Sequence, residues 1–80
     1  MSDNANVVVY TAQWCGFCHA VKDYLSKKGV SFTEKDIDTN PAYAEEAVKK
    51  SGQTGIPVVE IGDTVIVGFD RSRIDAALAQ

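Results

Sequence analysis

Trp14-Cys15-Gly16-Phe17-Cys18 holds both cysteines of this 80-residue chain, separated by two residues. It follows the apolar run Val7-Val8-Val9-Tyr10 and leads into a stretch where Phe17, Val21, Tyr24 and Leu25 recur at helical spacing. The layout predicts a Cys-x-x-Cys pair at the turn from a buried strand into a helix N-terminus. The attacking species in thiol–disulfide exchange is a thiolate, and the free N–H groups and positive dipole end of a helix stabilise an anion. Cys18, one helical turn on, is close enough to form a disulfide with Cys15.

Composition narrows the alternatives. A chain of this length makes one domain, residues 1–80, with a modest core. Its 45% apolar and 24% charged residues are ordinary for a soluble globular domain, and a net charge of −3 gives no basic footprint for nucleic acid or an anionic membrane. The apolar runs are too short to span a bilayer, and the first residues carry no basic-then-apolar signal pattern. The cytoplasm is therefore the expected location. There thiols are kept reduced, and a lone cysteine pair points to catalysis or metal binding more than to a structural bridge. A bridge between Cys15 and Cys18 would close so small a loop that it constrains little of the unfolded chain.

Outward from the motif, residues 1–5 read as a polar, frayed start and residues 6–11 as a central strand. A helix is predicted from Gly16 to Lys28, stopped by Gly29. Residues 31–37 are expected to form an edge strand. Asn40-Pro41 reads as an N-cap and first helical residue, opening a helix to about Lys50 that buries Ala44, Ala47 and Val48. Pro57–Ile61 and Thr64–Val67 flank Gly62-Asp63, a pair that fits a type II′ hairpin, and Val65 and Val67 are expected in the core. Asp70 caps a last helix to Ala79, with Phe69 stapling onto Ile74.

The order strand, helix, strand, helix, hairpin, helix, with Cys-x-x-Cys after the first strand and a proline opening the third, resembles the minimal thioredoxin fold. Within it the chain is similar to the glutaredoxin family from Val7 to Leu78. The motifs that carry the likeness are Tyr10-Thr11-x-x-Trp14-Cys15-Gly16-Phe17-Cys18, Thr54-Gly55-Ile56-Pro57 and Gly68-Phe69-Asp70. The resemblance implies an α/β fold with a four-stranded mixed sheet and three helices (β-α-β-α-β-β-α), strands ordered second, first, third, fourth, and a cis Pro57 facing the cysteines. There are departures. Phe17 replaces the proline expected from thioredoxin's active site, and Ala12 stands where glutathione-using members carry a lysine. Gly68-Phe69 replaces their Gly-Gly pair, as in glutaredoxin-like redoxins that serve ribonucleotide reductase and draw electrons from thioredoxin reductase. Mycoredoxin-type proteins share the Trp-Cys-Gly-aromatic-Cys pattern.

The implied activity is a disulfide oxidoreductase acting on protein or glutathione mixed disulfides, with Cys15, expected to be exposed at the helix start, as nucleophile and Cys18 as resolving thiol. Substrate-binding candidates are Trp14 and Phe17 beside the thiols, Ile56 and Pro57 through the backbone, and Gly68, Phe69 and Asp70 at the start of the last helix, where N–H groups can hold a carboxylate. Expected partners are protein disulfides and either glutathione or a flavoprotein reductase as electron donor. No tightly bound cofactor is expected, no metal, and a monomer. Two rival readings exist. Cys15-Gly16-Phe17-Cys18-His19 matches the haem c attachment motif, but a haem pocket would compete with the single core. An iron–sulfur cluster bridging two monomers through Cys15 and glutathione is known in the family, usually in members with one active-site cysteine. Structural zinc needs about four ligands, more than this chain offers. His19 itself reads as a solvent-facing helix residue with at most a modest electrostatic effect on the thiols.

Overall fold

A computed structural model describes residues 7–79; the polar stretch 1–5 and Asn6, expected to open the first strand, lie outside the described residues. Seven elements follow one another: β1 (Val7–Thr11), α1 (Gly16–Lys27), β2 (Thr33–Asp36), α2 (Pro41–Ser51), β3 (Val58–Ile61), β4 (Thr64–Val67) and α3 (Arg71–Leu78). The sheet order is β2-β1-β3-β4, with β1 parallel to β2 and antiparallel to β3, and β3 antiparallel to β4. This is the minimal thioredoxin fold, in the strand order that the resemblance implied.

Alternation along the strands builds two cores. Val7 and Val9 of β1, Val59 and Ile61 of β3 and Ile66 of β4 meet Val21 and Leu25 of α1 and Ile74 and Ala77 of α3. On the other face, Tyr10 and Val58 are buried with Ala47 of α2, and Val8, Tyr43 and Val65 pack around them. The unbroken valine run is thus a strand covered on both sides, as a central position requires.

Helix ends follow their caps. The α1 terminus is a Schellman turn: Gly29 takes φ 75°, Gly29 N–H bonds Ser26 C=O at 3.0 Å and Val30 N–H bonds Leu25 C=O at 3.0 Å. Asn40 accepts from the Ala42 N–H at 3.0 Å ahead of Pro41, and α2 ends at Gly52 with φ 74°. Asp70 accepts from the Arg73 N–H at 3.2 Å, and Phe69 packs on the core that contains Ile74. Gly62 has φ 59°, while no described non-glycine residue has positive φ. The hairpin turn is therefore type II′, not I′.

Four expectations change. The edge strand β2 is shorter than 31–37, because Phe32 leaves the ladder to pack on the α1/α3 core and Ile37 turns toward the cysteines. β3 begins at Val58, not Pro57, since proline has no N–H to give the ladder. In α2 it is Tyr43 and Ala47, one turn apart, that face the sheet; Ala44 is half-buried and Val48 is 38% exposed. In β4 the fully buried residue is Ile66, with Val65 and Val67 half-buried. The Tyr43 contact belongs to a clamp on the edge strand. Lys35 of β2 bonds Glu46 of α2 at 3.1 Å while its ammonium lies 5.6 Å from the Tyr10 ring centroid and 5.4 Å from that of Tyr43. Leu25, wholly buried where α1 meets the sheet, is a direct test of this packing. Leu25→Ala should lower unfolding free energy by about 2–5 kcal/mol, read from urea midpoints. A loss below about 1 kcal/mol would contradict the assigned core.

Candidate active site

The site is built where β1 ends and α1 begins. Cys15 is the N-cap of α1, with extended backbone (φ −95°, ψ 111°), and its sulfur accepts the Cys18 N–H at 3.1 Å. A sulfur here fills the role an oxygen usually has at an N-cap, satisfying one of the orphan amide donors of the first turn. That bond also turns the side chain inward. Cys15 is only 7% exposed, which corrects the expectation of an exposed thiol, and Cys18 is fully buried. Both are free thiols. Ala12, Ile37 and Ile56 surround the pair with apolar surface, while Trp14 and Phe17 stand out on either side at 69% exposure each.

Burial dominates the chemistry of Cys18. Loss of solvent around its sulfur, reinforced by the hydrogen bond with Cys15, pushes the thiol up to about 11. The Thr11 hydroxyl and the Ala12 backbone work in the opposite direction, each favouring the thiolate, and do not cancel the effect. Thr11 is itself buried, and its hydroxyl has no hydrogen-bond partner among the described residues.

The other predicted residues are brought to the same end of the sheet. The Ile56–Pro57 peptide is cis, as the resemblance implied. Ile56 packs against the cysteines, and its N–H and C=O carry no hydrogen bond to another described residue. Gly68 N–H donates to Pro57 C=O at 2.8 Å, which ties the start of α3 to this segment; Gly68 adopts φ 86°, a left-handed conformation that favours glycine. Phe69 is placed differently from Trp14 and Phe17. Its ring packs on the α1/α3 core, edge-on to Tyr24 at 5.7 Å with the Arg71 guanidinium 6.0 Å from its centroid. What Gly68-Phe69-Asp70 offers at the site is therefore backbone. Sequence reading missed Thr11 and Ile37. The first was detectable as a polar residue at the end of an otherwise apolar central strand; Ile37 gave no signal beyond strand hydrophobicity. A cavity of about 700 Å³ lies away from the thiols, between Val7, Phe32, Lys50 and Asp63.

A thioredoxin-fold domain with a dithiol at the N-terminus of its first helix defines a class of thiol–disulfide redox proteins. The comparisons specify which. The glutaredoxin family model matches residues 7–66, and the chain belongs to the glutaredoxin family. It is 48% identical over 66 residues to glutaredoxin 3 of Escherichia coli K12, covering 82% of this chain and 80% of that one. Among solved structures it resembles the glutaredoxin of Archaeoglobus fulgidus, with TM-score 0.88 at 24% identity over 96% of this chain and 89% of that one. It also resembles the NrdH-redoxin of Escherichia coli, with TM-score 0.78 at 32% identity over 89% and 92%. The family's chemistry is thiol–disulfide exchange. No described helix is long and apolar enough to cross a membrane.

The two sulfurs should label separately. Between pH 7 and 9 iodoacetamide is expected to add one carbamidomethyl group to the reduced protein, on Cys15, and to reach Cys18 only near pH 11 or on unfolding. The unfolded chain loses the Cys18 proton near about 8.5, whereas the folded chain keeps it to about 11. Over that window the folded state binds more protons, so stability of the reduced protein falls as pH rises. Cys18→Ala should lack this part of the decline. Two rapid labels at pH 8 would contradict the assignment.

Proposed function

We propose that this protein is a dithiol disulfide reductase in which Cys15 attacks, Cys18 resolves, and glutathione restores the dithiol. The observation that carries the reading is the Cys18 N–H held 3.1 Å from the Cys15 sulfur, with a protonated Cys18 buried behind it. One sulfur sits at the helix start ready to carry charge, and the other is kept neutral until it is needed.

In the first step the Cys15 thiolate attacks one sulfur of a substrate disulfide. A new S–S bond forms to Cys15, the old one breaks, and the departing sulfur leaves with the electron pair and takes up a proton. Cys18 then loses its proton, with Thr11 and the Ala12 backbone favouring the thiolate, and attacks the Cys15 sulfur. The Cys15–Cys18 bond forms and the second substrate thiolate leaves. The substrate has gained two electrons. Two glutathione thiols return them and leave as glutathione disulfide.

Substrate binding is assigned to the surfaces around the sulfurs. Trp14 and Phe17 offer exposed aromatic faces, which make strong contacts at low entropic cost. The unpaired backbone of Ile56 fits an extended substrate segment pairing as a short β-bridge. At the start of α3, Asp70 occupies the Arg73 N–H, and the first N–H groups of the helix suit a carboxylate such as that of a γ-glutamyl group.

A second reading differs in the electron donor. Ala12, fully buried, offers no cation for glutathione, and Gly68-Phe69 replaces the Gly-Gly of glutathione-using members. The Escherichia coli NrdH-redoxin is described as having a thioredoxin-like activity profile, and a protein of that kind would take electrons from thioredoxin reductase and serve ribonucleotide reductase. A cluster bridging two monomers would leave Cys18 without a part; brown colour and visible absorbance in freshly purified protein would support it.

Two mutants and one paired assay decide among these. Cys15→Ser should abolish every exchange reaction. Cys18→Ser should lose protein disulfide reduction and trap Cys15 with its substrate, yet still turn over a small glutathione mixed disulfide, because a second glutathione can resolve it. Wild-type turnover of NADPH should run with glutathione and glutathione reductase. Activity with thioredoxin reductase alone, and equal loss in both mutants on glutathione disulfides, would replace glutathione as donor. Activity surviving in Cys15→Ser would reject Cys15 as the nucleophile.

A further inference from the structure

His19 takes no part in the exchange steps, and its ring is exposed. Yet its Nε2 lies 2.8 Å from the carbonyl oxygen of Gln13, six residues earlier. That carbonyl belongs to the turn between β1 and α1, which is closed by one backbone hydrogen bond, from Cys15 N–H to Ala12 C=O at 3.1 Å. Between those ends Gln13 and Trp14 make no backbone hydrogen bond to another described residue. Trp14 is 69% exposed and joins none of the hydrophobic clusters. The middle of the turn that presents both the nucleophile and its exposed indole is thus tethered by one side-chain contact.

We propose that His19 is a positioning residue: by donating its Nε2–H to the Gln13 carbonyl it fixes the Gln13–Trp14 peptide ahead of Cys15, and with it the Trp14 ring and the polarity facing the Cys15 sulfur. The reason is electrostatic as well as steric. Each peptide carries a dipole of about 3.5 D. An untethered Gln13–Trp14 peptide can rotate and turn its oxygen toward the sulfur, where the negative end of that dipole opposes the thiolate. Held by the ring, the oxygen is occupied. Both the neutral Nε2–H tautomer and the imidazolium can donate, so the tether does not depend on the charge of His19.

This inference rests on Cys15 being the nucleophile, and its test is chosen so that the two fail separately. Trp14 is the single tryptophan, so its fluorescence reports the turn without any turnover. Reduced wild type, His19→Leu and His19→Gln are compared by acrylamide quenching of Trp14, by the rate of Cys15 alkylation with iodoacetamide at pH 7, and by kcat/KM on a disulfide substrate. His19→Leu loses the donor and should change Trp14 quenching and slow alkylation about three- to tenfold, the range expected of one lost hydrogen bond. His19→Gln keeps an N–H at similar reach and should remain within about twofold of wild type, the rescue that separates donation from bulk. Wild-type protein that labels at Cys15 but reduces no disulfide would reject the proposed function and leave the quenching and alkylation comparison standing. Leucine behaving as wild type in both, or glutamine falling as far as leucine, would overturn the role of His19.

Discussion

The hydrogen bond from the Cys18 amide to the Cys15 sulfur is the contact on which the rest of the site depends. It is a capping interaction, so it sets where α1 begins. It is also an interaction with the reacting atom, so it decides where that atom points. Once the sulfur is turned onto the first turn of the helix, Cys18 must follow on the inner face, against the sheet. There it meets the end of β1, and Thr11 and Ala12 become its neighbours. Helix start and the placement of both sulfurs are thus fixed by one local geometry, and the thioredoxin fold supplies the strand that ends at the right height.

The inequality of the two sulfurs follows from a competition whose winner is clear. Apolar surroundings and the bond to Cys15 raise Cys18; a hydroxyl and a backbone contact lower it; the balance stays well on the raised side. In the proposed mechanism, a Cys18 kept protonated does not compete with Cys15 for the incoming disulfide. The aromatic flanks have a complementary place. Trp14 and Phe17 are exposed while the sulfur between them is not, which under the proposed function gives a substrate a broad apolar surface before the sulfur itself.

Much of this was legible in the chain because the signals were local. The Val7-Val8-Val9 run, the Asn40-Pro41 start, glycine at 29 and 52, and the Gly62-Asp63 turn each encode a backbone conformation in neighbouring residues, and each appears where expected. The misreadings concern contacts set by distant parts of the chain. Which stripe of α2 faces the sheet depends on Tyr43 meeting Tyr10 and Lys35, residues on two other strands. Helical spacing alone favoured Ala44 and Val48 equally. The burial of Cys15 depends on Ile37 and Ile56, brought in by β2 and by the segment before β3. No window around residues 14–18 contains that information.

The central claim is that the sulfur capping α1 is the one that meets substrate first. Rapid-quench peptide mapping tests it on the unmodified protein. Reduced protein is mixed with one equivalent of glutathione disulfide at pH 7, quenched in acid at millisecond to second intervals, and digested. Glutathione should appear first on Cys15 alone and then give way to the Cys15–Cys18 disulfide. A first adduct on Cys18, or an internal disulfide that forms with no preceding adduct on Cys15, would contradict the account.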